Sequence, residues 1–235
     1  MAAIRLLVLG AVRQHGRAHG YQVRGDLEFW GAHEWSNAKP GSIYHALKSM
    51  ARHGLLFAHD VAPSEAGGPP RTEYELTEAG EREYFALLRE ALSSVDEKSD
   101  VLTAGIGFVV DLPRAEAIAL LKQRLAGLEE RRDDIRRRWT PAEGEDWGHI
   151  GEIMGMWAHT ANSGAEWTRG LIERLEGGAY VMAGEGDQWE GIVTNTDADA
   201  NADAHVDADA DGDADAYERH RRDADPGPGP RAGDR

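Results

Sequence analysis

Apolar residues return every three or four positions along most of this chain, and the places where that rhythm changes mark its elements. Ile4, Leu7, Val8 and Ala11 share one helical face, which predicts a first helix over residues 3–15. Gly20 opens a second, with Val23, Leu27 and Trp30 turned inward. Residues 30–38, rich in Gly, Asn and Ser, read as a turn. Pro40 stops what precedes it and suits the first turn of a third helix. In that helix Ile43, Leu47 and Met50 face a core, whereas Tyr44, His45, Lys48 and Arg52 project elsewhere. Ser42 stands where it can cap the helix or contact phosphate. Gly54 falls just past the last turn, where a left-handed residue ends a helix. Residues 55–61 and 72–76 then read as strands, joined through Gly67, Gly68, Pro69 and Pro70. From Thr77, TEAGERE reads as a capping box with acidic residues favourable to the helix dipole, and the helix runs on through Tyr84, Leu88, Leu92 and Val95.

The second half has its own period. Ile118, Leu121, Leu125, Leu128, Arg132, Ile135 and Trp139 alternate in steps of three and four, a heptad seam. Ile150, Met154, Trp157, Ala161, Gly164, Thr168, Leu171 and Leu175 continue the habit on another helix beyond Pro141 and Gly144. A 3.5-residue seam is a helix-pairing surface, so a helical hairpin that dimerises is expected; the plainer alternative is that the two helices pack only on each other. Arg132 within the seam must snorkel or meet an acid. From Thr194 the chain becomes Asp/Ala alternation, then Arg, then Pro/Gly, with too few large apolar residues to offset the entropy of ordering. It reads as disordered.

A short helix, two strands and a hairpin tip form the layout of a winged helix-turn-helix. The segments PGSIYHALKSMARHGLL and GGPPRTEYELTEAG, with HGYQVRGDL upstream, resemble the PadR family of bacterial transcriptional regulators over roughly residues 3–92. The stretch from Asp100 to about Arg174 resembles that family's C-terminal dimerisation region more loosely. His45 departs from the resemblance, since many relatives carry proline there. The fold expected is mainly α with a small β-wing. Residues 1–95 would be the winged helix-turn-helix, 96–180 an α-helical hairpin for dimerisation and effector binding, and 181–235 an acidic tail.

Charge and chemistry then narrow the function. The net charge of -16 argues against a nucleic-acid partner until its distribution is considered. Residues 195–235 hold 12 Asp/Glu against 5 Arg, whereas residues 1–92 hold 11 Asp/Glu against 10 Lys/Arg. The reading unit is thus near neutral, and phosphate contacts act within a Debye length of ~8 Å. There is no cysteine, which excludes disulfides and thiolate chemistry and fits a cytoplasmic protein. The opening MAAIRLLVLGAV is too short and wrongly flanked for a secretion signal, and nothing approaches membrane-spanning length.

Double-stranded operator DNA is the expected partner of a homodimer. Lys39, Ser42, Tyr44, His45 and Lys48 would serve the third helix's groove face, and Arg71 would flank the wing tip. Trp157, Met154 and Trp167 are the candidates for an aromatic or planar small-molecule effector, which some PadR-like repressors hold between wings and dimer helices. In the tail, Asp207, Asp209, Asp211, Gly212 and Glu218, with Asp215 in ninth place, match the spacing of a calcium loop. Flanking helices are missing and the Asp repeat completes the pattern by chance, so no metal site is expected. No catalytic motif or cofactor signature occurs; the reading is a regulator and not an enzyme. The competing class is an adaptor whose winged helix docks protein and whose acidic tail binds cations.

Overall fold

The structure, a computed structural model, describes residues 2–61, 71–96, 98–139 and 147–186. Its elements in order are α1 (Ala2–His15), β1 (Arg17–His19), α2 (Gly20–Phe29), α3 (Ala32–Trp35), α4 (Pro40–Arg52), β2 (Leu56–Val61) and β3 (Arg71–Leu76). α5 (Glu78–Ser93), α6 (Ser99–Gly107), a 3-10 turn (Val109–Asp111), α7 (Arg114–Trp139) and α8 (His149–Glu176) follow. The chain is mainly α with a small antiparallel sheet, as the sequence predicts. The wing tip with Gly67, Gly68, Pro69 and Pro70, the Pro141–Gly144 connection and the tail, including Asp207, Asp209, Asp211, Asp215 and Glu218, lie outside the described residues.

α1 is the helix around which the rest is built. Its burial is nearly all round, with Leu6, Leu7, Val8, Leu9, Ala11 and Val12 enclosed, instead of the single face that Ile4, Leu7, Val8 and Ala11 suggest. The sheet has three strands where the sequence reading expects two. β1 is added at the edge of β3, with Arg17 opposite Glu75 and His19 opposite Glu73, while β2 pairs along the other side of β3. The turn region also contains α3, a single helical turn entered through Gly31.

The caps explain where the helices begin. His19 Nδ1 accepts the Gln22 backbone N–H at 3.1 Å while the Gln22 side chain accepts from the His19 N–H, a reciprocal capping box with histidine in the usual Ser/Thr place. At Thr77 only half of the expected box forms. Thr77 Oγ1 accepts from the Gly80 N–H at 3.0 Å, and glycine in the third position has no side chain to return the bond. Gly54 does adopt the left-handed backbone, φ +74°.

One hydrophobic core runs from α1 and α5 through α6 into α7 and α8, taking in Val101, Ala104, Phe108, Leu112, Leu121 and Leu175. Phe108 is its keystone. The ring lies so close over Gly10 that a Cβ there would fall 2.3 Å from Cζ, and it meets Trp30 and Tyr84 edge-on. Beside it, Asp111 accepts from the Tyr84 hydroxyl and from Arg13 Nη1 at 3.0 Å. Burial pushes the Asp111 carboxyl above its ordinary pKa, with the Tyr84 and Arg13 bonds opposing; burial likewise drives the Tyr84 phenol up. Arg13 also bonds Glu81, and its guanidinium lies 5.1 Å from the Phe85 ring centre.

α7 and α8 form the expected antiparallel hairpin, tied by Lys122–Glu176 and Arg169–Glu129 pairs at 2.7 and 2.8 Å. Arg132 is satisfied by its neighbour Asp133 at 2.9 Å, without recourse to another helix. At the base of the hairpin Arg114 clamps the chain that follows α8. It donates to the carbonyls of Leu175, Ala179 and Tyr180 and to both oxygens of Glu185. That pairing, with the Met182 N–H, holds the Glu185 carboxyl down to about 2.

Candidate nucleic-acid interface

α4 buries Ile43, Ala46, Leu47 and Met50 against α1 and α2, and this fixes what it turns outward. Positions 41, 45, 48 and 52 follow at helical intervals on the opposite side, so Gly41, His45, Lys48 and Arg52 are all exposed together. Lys39, the N-cap, is exposed at the head of the same face. Lys39, Lys48 and Arg52 make no ion pair among the described residues. The reason is local composition: from Ser36 to His59 the chain contains no Asp or Glu, although it carries -16 overall. Arg52 thus joins the candidate set, and that carboxylate-free run is the signal that finds it.

The other expected residues divide. Ser42 neither caps an N–H nor stands free on the groove side. Its hydroxyl donates to the carbonyls of Asn37 and Lys39 at 2.8 and 2.7 Å, which corrects the capping expectation: the turn before Pro40 brings both carbonyls within reach of the hydroxyl. Tyr44 is half-buried, its ring lying against α2 where a Cβ on Gly20 would approach to 2.5 Å. Gly20 is therefore required for the two helices to close at this angle. Arg71 opens β3, and its side chain lies outside what the structure describes. Beside it on the sheet, Arg17 and His59 both hold Glu75, at 3.0 and 2.9 Å, and lower its pKa. Arg17 is consequently a neutralised cation.

A cavity of about 570 Å³ opens between the N-terminal turn of α1, α4 and the start of α6, bordered by Ile4, Arg5, Ser42, His45, Ser49 and His53. Trp157, Met154 and Trp167 do not line it; they stand on α8. Trp157 and Trp167 are 47% and 43% exposed and Met154 is half-buried. With Ile150, Ile153 and Met156 they form an apolar stripe on the helix.

A helix-turn-helix beside a β-wing, with Lys39 at the N-cap and Lys48 and Arg52 on the second helix free of ion pairs among the described residues, has the layout of a DNA-binding transcriptional regulator. Residues 8–86 match the transcriptional regulator PadR-like family. Among solved structures, Bacillus subtilis PadR in complex with operator DNA is 19% identical, covering 73% of this chain and 98% of that one at a TM-score of 0.34. A PadR-like transcriptional regulator from Bacillus cereus is 18% identical, with 74% and 99% covered and a TM-score of 0.31. Bacillus subtilis PadR in complex with p-coumaric acid is 18% identical, with 74% and 96% covered and a TM-score of 0.32. No curated protein matches. The likeness to the family thus rests on residues 8–86.

Proposed function

We propose that the protein acts as a cytoplasmic homodimer in which two α4 helices enter successive major grooves of an inverted-repeat operator and repress transcription. The observation that carries this reading is the exposed cationic face of α4, where Lys39, Lys48 and Arg52 make no ion pair among the described residues. Lys48 and Arg52 reach phosphates or guanine edges, His45 faces the base edges, Lys39 meets the backbone at the helix entry, and Ser42 and Tyr44 flank the groove. Arg71 contacts phosphate beside the wing. Residues 1–95 are the reading domain and 96–180 the pairing domain. The exposed stripe on α8, with Ile150, Ile153, Met156 and Trp157, pairs the two chains, since apolar surface of that kind is characteristic of an interface.

An aromatic or planar effector would settle against Trp157, Met154 and Trp167 in that pairing region. It would release the operator only through a difference in affinity for the two dimer arrangements. The test is an anisotropy titration against a duplex from directly upstream of the protein's own gene, beside a scrambled duplex, at two salt concentrations. Preference for the native duplex that weakens steeply with salt supports the reading; equal binding of both sequences by a chain that does not dimerise would overturn it.

A further inference from the structure

The most acidic part of the chain and a cationic stretch without carboxylates belong to the same molecule. Between Asp197 and Glu218 there are nine Asp/Glu and no Lys or Arg; between Ser36 and His59 there are three Lys/Arg and no Asp or Glu. We propose that the acidic run 197–218 docks on the outward face of α4, at Lys39, Lys48 and Arg52, and competes there with DNA phosphates. This rests on the reading of α4 as the DNA-contacting face.

The folded body fixes the starting point of that segment. Arg114 grips Glu185 and three carbonyls between Leu175 and Tyr180, the Ala183 N–H donates to Val110 at 2.9 Å, and Met182 is fully buried. Val110 lies in the 3-10 turn whose Asp111 bonds Arg13 of α1. The chain past Gly186 therefore departs from the base of the hairpin, beside the winged half, and not from the far end of α7 and α8. Thirty-two residues separate Gly186 from Glu218, a span of up to ~105 Å. A body of 186 residues has a radius of gyration of only ~16 Å, so the acidic run reaches any face of it. Tethering places the run at an effective concentration on the order of mM, and carboxylates spaced along a chain present the same kind of target to Lys and Arg that phosphates do.

The near-neutral reading unit is then screened by its own chain. Sequence-indifferent duplex, which relies on phosphate contacts alone, is displaced, while an operator that adds base contacts outcompetes the run.

The chain's four lysines make the test internal. Lys39 and Lys48 lie on the α4 face, whereas Lys98 and Lys122 lie on the α6–α7 side. Zero-length carbodiimide coupling of the full-length protein without DNA, read by peptide mass spectrometry, should join the 197–218 segment to Lys39 or Lys48 in preference to Lys98 and Lys122. The links should fade at 500 mM salt. Even coupling to all four lysines, or none to Lys39 and Lys48, overturns the proposal. In the second arm, the eight Asp of 197–215 are replaced by Asn in the full chain. Affinity for a scrambled duplex should rise about tenfold at 50 mM salt and less than twofold at 300 mM. Selective coupling to Lys39 and Lys48 without any gain in DNA affinity keeps the docking but removes α4 as the DNA face, so the two readings fail separately.

Discussion

α4 and α8 each bury one side in the same core and leave the other bare, yet the two bare sides differ in kind. On α4 the outward residues are Lys48, Arg52 and His45, with no carboxylate among their neighbours in sequence. On α8 they are Ile150, Ile153, Met156 and Trp157, with Met156 58% exposed. A cationic face is stable in water and gains by meeting a polyanion, with an attraction that salt weakens. An apolar face is costly in water and gains by meeting another apolar face, with an attraction that salt does not weaken. One chain thus presents two faces whose attractions would respond oppositely to ionic strength.

The comparison breaks most severely at the shared support. Phe108→Ala removes the ring seated on Gly10 and should cost ~3–5 kcal/mol, read as a lower urea midpoint. A single transition would show that both faces hang from one core, and two transitions would show that the winged half folds apart from the hairpin. Next in size, Ile153→Glu with Trp157→Glu should raise the dimer dissociation constant on the order of a hundredfold in sedimentation, with helix content unchanged. Retention of a dimer would place the pairing surface elsewhere. Tyr84→Phe deletes one donor to the buried Asp111 and should cost ~1–3 kcal/mol.

That same carboxylate gives a pH test of the support. Burial raises the folded pKa of Asp111, so the folded state holds this proton more tightly than the unfolded chain does. Its contribution therefore falls as pH rises from the unfolded value of about 3.9 through the folded one, and is level above it. Asp111→Asn should flatten urea midpoints across that window, and an unchanged slope would mean that other groups set it. Smallest of all, Lys48→Ala should weaken operator binding roughly tenfold and lower the salt slope by about one, leaving the dimer intact. Dissociation into monomers on gel filtration would instead assign Lys48 to structure.

What was legible in the sequence was whatever is stabilised locally. α4 announces itself through Pro40, the Ile43–Leu47–Met50 spacing and Gly54, and the hairpin through its long repeat of three and four. β1 is invisible by the same logic: as a strand its three residues pair with β3, more than fifty positions away, as in Arg17 opposite Glu75. α6 is hidden for another reason, since VLTAGIGFVV is apolar on every side and has no face to betray a period. The outward face of α4 was legible at Lys48 and His45, which are both exposed. It was not at Ser42, whose hydroxyl is claimed by two carbonyls that only the folded turn brings within reach, nor at Tyr44, whose ring is drawn in by a gap over Gly20.

The seat of Phe108 on Gly10 also sets a gearing ratio. Trp157 stands 18 residues along α8 from Leu175, close to 27 Å from the base of the hairpin at 1.5 Å per residue. With the base of the hairpin and α1 sharing that ring's core, a sideways displacement of roughly 2.4 Å at Trp157 corresponds to a tilt of roughly 5° of everything attached to α1, α4 included. In the proposed dimer, whatever changes the fit between two chains at Trp157 would therefore change the angle at which both α4 helices arrive.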